Sequence, residues 1–361
     1  MAIRILSIDG GGLRGLFPLW VLQEIQQLTG RTAFDYFDFF TGTSTGAIIA
    51  CGLNVPRGGL SRTPKFEVKD LISLYEKESE TIFPFGSPLK EWWKDRFFSY
   101  VKSPMYSNQG LRGVLQNYFG ENRIKDCLKP IMVPTYCIQT MEPLWFRSRI
   151  VYEDQLIGIT PVMAESHDIR LQDVLMAATA APTFLPAHPL YFGLDEMGQP
   201  KARLCIDGGI YQNNPSASAL VEFLKNNQVY SQKYKSPIGG LEDIFILSLG
   251  TGNYTEPLNE RRSLKEGGKL DWAIPAIEIA MWGNAQAVDY QISEWLRFSG
   301  GRQTRNYLRI NFRLDNEELS EMDNSSPQIR EKWKTVFQKQ FHENLKLKSQ
   351  LYGFLNAAGS D

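Results

Sequence analysis

The stretch that most constrains this chain is Thr41-Gly42-Thr43-Ser44-Thr45-Gly46, set between two apolar runs. Phe37-Asp38-Phe39-Phe40 before it predicts a short buried strand, and Ala47-Ile48-Ile49-Ala50-Cys51 after it predicts the start of a buried helix. The G-x-S-x-G spacing puts a serine on a sharp strand-to-helix turn. Little room is left there for side chains, so Gly42 and Gly46 let the backbone bend and the helix pack closely. The Ser44 hydroxyl is then held at a helix N-terminus, where developing negative charge is favoured. A glycine- and serine-rich connection with no chemistry satisfies the same five residues, so the rest of the chain has to decide.

The N-terminal segment reads as a buried strand over 3–8, then Asp9-Gly10-Gly11-Gly12-Leu13-Arg14-Gly15, then a helix. Leu16, Leu19, Trp20, Leu22, Ile25 and Leu28 fall at helical spacing, with Gly30 as the stop. Strand, glycine turn, helix and second strand make a β-α-β opening, which implies a parallel sheet with helices on its faces. Gly10-x-Gly12-x-x-Gly15 also satisfies the dinucleotide fingerprint, with Asp35 near the distance expected of a ribose-binding acid. Three readings therefore compete for this turn: a pyrophosphate cradle, an oxyanion hole beside Ser44, or tight packing alone.

Composition narrows the class. With 361 residues, 43% hydrophobic and 22% charged, the chain is expected to be a soluble globular protein with a substantial core. A formal net charge of -1 offers no global attraction to a nucleic-acid polymer or an anionic membrane, so any such contact needs a local patch. The four cysteines (Cys51, Cys127, Cys137, Cys205) lack C-x-x-C spacing and read as reduced core residues. An acidic residue arrives before a signal-peptide core could form, and no apolar run reaches spanning length; the expected location is the cytoplasm.

Further along, a polar loop is expected over 55–65 and an amphipathic helix over 66–80. The segment 82–106 mixes Phe83, Phe85, Trp92, Trp93, Phe97, Phe98, Tyr100 and Tyr106 with Lys90, Lys94, Arg96 and Lys102. It is read either as an excursion over the core or as a lipid-facing cap, since aromatic and basic residues together suit a membrane interface. A helix over 110–119, a strand over 130–138 with an edge-like Pro134, and a paired strand over 141–151 follow. A small-residue helix over 171–181 precedes Leu204-Cys205-Ile206-Asp207-Gly208-Gly209, a strand ending in an acid and glycines. Another strand is expected over 244–249, and helices over 270–298 and 327–354. No repeat or domain boundary is evident, so 1–361 is read as a single domain with a motif-bearing core over about 3–255 and a helical extension over about 256–361.

A serine nucleophile needs a base. With only His167, His188 and His342 available, one rival is an α/β-hydrolase esterase using Ser44, Asp207 and His342 in that order. Position argues against it: only one β-α unit precedes Ser44, and His342 lies in a charged helical pattern. A carboxylate can serve directly, and Asp207, ending a buried strand at what would be the carboxyl edge of a parallel sheet, is the best candidate.

The three turns in this order, D-G-G-G-x-R-G, G-T-S-T-G and D-G-G, resemble those of the patatin-like phospholipases. So do Asp35-Tyr36-Phe37-Asp38, the run from Ala177 to Pro186, and Leu247-Ser248-Leu249-Gly250-Thr251-Gly252. The resemblance implies a three-layer α/β/α sandwich with a mainly parallel central sheet. It implies Ser44 as nucleophile and Asp207 as base, in the turn with Gly208 and Gly209, acting without histidine through an acyl-serine. Gly10, Gly11 and Gly12 would stabilise the oxyanion, with Arg14 shaping their loop, and no metal is implied. The substrate class would be acyl esters of membrane phospholipid, reached by peripheral contact with the inner membrane; a homo-oligomer is compatible with this. In its compact N-terminus, elbow and C-terminal extension the chain is also similar to bacterial patatin-like effectors of anti-phage defence that a cyclic di- or oligonucleotide activates. On that reading Arg261, Arg262, Arg302, Arg305 and Arg309 are candidates to meet phosphate.

Overall fold

The computed structural model describes residues 2–58, 61–84, 104–148, 168–194, 197–225, 240–254, 267–300 and 306–359. The aromatic stretch holding Trp92 and Trp93 lies outside them, as do His167 and four of the five candidate arginines, Arg261, Arg262, Arg302 and Arg305. No helix among the described residues is long and apolar enough to cross a membrane.

Strand β1 (Ile3–Ile8) is buried on both faces, Arg4 alone being half-buried, as suits a central parallel strand. It pairs in parallel with β2 (Phe39–Gly42) on one side and with β7 (Ile244–Leu249) on the other. The first helix, Leu16–Thr29, stops where Gly30 turns left-handed at φ 66°. The elbow helix, Thr45–Gly52, is buried along its whole length. Beyond it come β3 (Ile131–Cys137), β4 (Glu142–Arg147), β5 (His188–Leu194) and β6 (Pro200–Asp207). Among the described residues the sheet runs β5-β6-β3-β2-β1-β7-β9, where β9 is Tyr307–Ile310, and β4 pairs with β3 off this path. A separate two-residue pairing joins β8 (Asn253–Tyr254) to β10 (Arg313–Leu314).

Strand β3 is where the site is made. It runs parallel to β2, with Phe40 opposite Ile131 and Thr41 opposite Met132, and antiparallel to β6, with Thr135 opposite Asp207. Its other edge is taken by β4 from Met132 to Cys137, so β2 and β6 share one edge and run toward each other along it. Their carboxyl ends meet near Pro134, which falls between the two registers. Pro134 therefore sits in an interior strand and not at the edge its residue type suggested. Asp207 likewise ends an antiparallel strand, not one of the parallel set.

The C-terminal residues carry strands as well as the expected helices. Strand β9 extends the central sheet beside β7. The anticipated helix over 327–354 is broken into Pro327–Phe337, a π-helical turn at Gln338–His342, and Leu345–Gly359. Trp333, Phe337 and Phe341 from this region pack into the same core as Phe17 and Trp20 of the first helix. Leu345, which opens the last of these helices, is exposed.

Candidate active site

Ser44 stands at the N-terminus of the elbow helix with φ 53° and ψ −120°, a strained conformation for a residue with a side chain. The crossing that forces this strain also explains the flanking glycines. A Cβ on Gly42 would stand 2.0 Å from the Gly46 carbonyl oxygen, and one on Gly46 would stand 2.3 Å from that of Ile8. Backbone hydrogen bonds fix the turn, from Thr43 N–H to the Ile8 carbonyl at 3.0 Å and from Gly46 N–H to the Thr43 carbonyl at 2.8 Å.

Asp207 arrives from the opposite direction on β6. Its carboxylate lies beside the Ser44 hydroxyl and accepts a 2.7 Å hydrogen bond from Gly209 N–H. Burial pushes the carboxyl from 3.8 up to about 6, with the Ser44 hydroxyl and the Gly209 amide opposing that push. Gly208 has no room for a side chain either, since its Cβ would meet the Pro134 carbonyl oxygen at 2.5 Å. Ser44 and Asp207 open onto one cavity, otherwise mostly apolar, whose walls include Ile48, Leu74, Phe83, Leu111, Phe184 and Met281.

The glycine turn forms another wall of this cavity through Gly11 and Gly12. Its amides are unequally committed. Gly10 N–H donates to the Asn213 carbonyl at 3.4 Å, Leu13 N–H to Met322 at 2.8 Å, and Arg14 N–H to Gly11 at 3.2 Å. The amides of Gly11 and Gly12 have no such partner among the described residues. Two adjacent donors beside a serine suit an oxyanion. Of the three glycines expected to supply them, Gly10 instead ties the turn to the Asp207 loop. The turn faces Ser44, and Asp35, the acid the fingerprint pointed to, is instead hydrogen-bonded at the surface to Thr32.

Two arginines, Arg14 fully buried and Arg309 largely so, brace the turn. Arg14 donates to the carbonyls of Gly11 at 3.4 Å and Gly252 at 3.1 Å, and burial pulls its pKa down to about 10, Glu278 opposing. Arg309, on β9, grips both oxygens of Asp9 at 2.8 and 2.5 Å and also donates to the Ser248 hydroxyl at 2.8 Å. Burial alone would weaken the Arg309 cation, but Asp9 more than offsets it and holds it charged. Arg309 is thus consumed inside the protein, which overturns its candidacy as a surface phosphate ligand.

The histidines lie elsewhere. His342, on the π-helical turn, has its Nε2 3.5 Å from Glu24, and His188 is buried with Nε2 3.9 Å from Asp173. The Ser44-Asp207-His342 arrangement is therefore not assembled. Sequence reasoning missed Asp9–Arg309 and Asn213. The acid before the glycines and the pair of asparagines, Asn213-Asn214, were the available signals.

Comparison with known proteins gives the family. The family model described as patatin-like phospholipase matches residues 6–220. Patatin-like protein 3 of Arabidopsis thaliana is 31% identical over 332 residues, covering 85% of this chain and 73% of that relative. Patatin-2-Kuras 4 of Solanum tuberosum is 26% identical, covering 90% of this chain and 82% of its own. Among solved structures, human GIVD cytosolic phospholipase A2 is 10% identical with a TM-score of 0.45, covering 99% of this chain and 59% of that one. Three turns in the order the motifs predicted, together with matches spanning most of the sequence, make this chain a member of the patatin-like phospholipase family.

Proposed function

We propose that the chain is a serine-dependent lipid acyl hydrolase acting on phospholipid at a membrane surface. The observation that carries this reading is a buried Asp207 carboxylate beside the Ser44 hydroxyl, at the end of an apolar cavity. The apolar walls suit an acyl chain, whose transfer from water is favourable by about 0.8 kcal/mol per methylene. Asp207 takes the Ser44 proton as Oγ attacks the acyl carbonyl carbon. A base near pKa 6 is well matched to work near neutral pH.

The carbonyl oxygen gains negative charge and is met by the Gly11 and Gly12 amides, each such donor being worth roughly 3 to 4 kcal/mol in related chemistry. Asp207 passes its proton to the leaving alkoxide, giving an alcohol and an acyl-Ser44 ester. Water then attacks that ester, again with Asp207 as base. The test is fatty-acid release from phospholipid liposomes and hydrolysis of a short-chain ester by the wild type and by Ser44→Ala. Both activities are expected to vanish in Ser44→Ala; retention of either overturns the assignment of the nucleophile.

A further inference from the structure

The cavity that holds Ser44 and Asp207 carries a second acid in its wall. Asp323 lines it, 8% exposed, and among the described residues Asp207 and Asp323 are its only charged lining side chains. No Lys, Arg or His joins them there. The cations that brace the glycine turn are spent elsewhere, Arg14 on the carbonyls of Gly11 and Gly252 and Arg309 on Asp9.

Asp323 is held in place from several sides. The carbonyl of Met322, just before it, accepts from Leu13 N–H at 2.8 Å and stands 2.3 Å from where a Cβ on Gly12 would lie. The acid thus follows directly on the residue packed against the oxyanion turn. Its Oδ2 accepts a 2.6 Å hydrogen bond from the Tyr106 hydroxyl. Burial, and after it the Asp323 charge, raise the Tyr106 pKa, so that hydroxyl keeps its proton and donates. Tyr106 packs edge-on against Phe83, with ring centroids 5.1 Å apart, and its N–H donates to the Phe184 carbonyl at 2.9 Å. Phe83 and Phe184 are both walls of the cavity. Two residues beyond the acid, Ser325 Oγ donates to the Phe83 carbonyl at 2.7 Å. This segment lies outside residues 6–220, the part matched by the family model.

We infer that Asp323 sets which lipid the site accepts, by disfavouring a negative charge carried beside the scissile ester; the inference rests on the Ser44–Asp207 reading above. A cleft with apolar walls and charges of one sign concentrates the field inside it. An anionic head group that follows its acyl chain into this cavity meets two carboxylates and, among the described lining residues, no cation. A head group whose phosphate is balanced by its own ammonium carries no net charge and meets far less repulsion. Zwitterionic lipids are therefore favoured over anionic ones. Asp207 acts on every substrate alike, whereas Asp323 takes no part in proton transfer and tells one lipid from another.

The experiment compares kcat/KM for dihexanoylphosphatidylcholine and dihexanoylphosphatidylglycerol, both kept monomeric so that no surface charge enters. Wild type, Asp323→Asn, Tyr106→Phe and Ser44→Ala are assayed. Asparagine keeps the shape of the side chain and an acceptor oxygen for Tyr106, and removes the charge. Unit charges about 10 Å apart near a protein surface change a rate by roughly tenfold, so wild type should prefer the choline lipid and Asp323→Asn should lower that preference about three- to tenfold. Tyr106→Phe removes the hydrogen bond and leaves the charge, so its preference should stay at or above that of wild type. The ratio is read only from molecules that turn over, so partial misfolding does not move it. An unchanged ratio in Asp323→Asn, with Ser44→Ala inactive, overturns the role of Asp323 alone. So does a Tyr106→Phe variant that loses the preference as fully as Asp323→Asn, because wall shape and not charge would then decide. Full turnover by Ser44→Ala overturns the underlying mechanism and this inference with it.

Discussion

Replacing Asp207 by asparagine should abolish activity and yet make the protein more stable at neutral pH. Burial raises the folded-state carboxyl from 3.8 to about 6, so the folded protein binds this proton more tightly than the unfolded chain does. Below pH 3.8 both states are protonated and the group is neutral to folding. As pH climbs through that interval the unfolded chain ionises first, and stability falls until the folded carboxyl has ionised too. Raising the carboxyl by this amount corresponds to about 3 kcal/mol above pH 7, at 1.36 kcal/mol per tenfold. At pH 4.5 the same linkage gives about 1 kcal/mol. Asparagine cannot ionise, and its oxygen can still accept from Gly209 N–H. Urea unfolding of wild type and Asp207→Asn at pH 4.5 and 7.5 should therefore show the variant's advantage growing by about 2 kcal/mol. A variant no better placed at pH 7.5 than at pH 4.5 would refute the claim that a strained, ionised carboxylate is held in this cavity.

Other outcomes follow from the same geometry. The kcat/KM of a soluble ester should rise with pH to a plateau with its midpoint near 6, as Asp207 becomes a base; a flat profile from pH 5 to 8 contradicts that assignment. Gly46→Ala drives a Cβ to 2.3 Å from the Ile8 carbonyl oxygen, so a melting scan should show a loss of stability together with lost esterase activity. Arg309→Gln leaves a buried Asp9 carboxylate unpaired and should cost about 3 to 5 kcal/mol by urea unfolding. Adding Asp9→Asn to it should recover part of that loss, and a double variant weaker than the sum of the two singles would count against the pairing.

The opening β-α-β unit was legible because every one of its signals is local. Alternating strand, glycine turn and helix-spaced apolar residues name their own partners, and Gly30 ends the first helix as expected. The turns on which Ser44 and Asp207 sit were readable as strand ends. How they meet was not, since the direction of β6 depends on strand pairing between residues about 70 positions apart, such as Thr135 and Asp207. Strand β9 escaped notice because its sequence Tyr-Leu-Arg-Ile carries a charge that only a distant Asp9 makes tolerable inside the protein. The break after Phe337 had no proline or glycine to announce it. Asn213 looked like an ordinary turn residue, and its tie to Gly10 appears only with the neighbours the fold assembles around it.

The head-on meeting of β2 and β6 along one edge of β3 makes the approach of Asp207 to Ser44 a matter of alignment. A strand advances about 3.3 Å per residue, and its side chains alternate between faces. Should β6 settle one residue out of place during folding, Asp207 would move by that distance and swap to the opposite side of the sheet. A slip of two residues would restore the face but leave the carboxylate about 7 Å from its proper level. A one-residue slip turns the strand's buried side chains outward, whereas a two-residue slip keeps its faces in place and still parts Asp207 from Ser44. Specific activity measured after refolding is consequently a gauge of strand alignment that spectroscopic measures of secondary structure cannot replace.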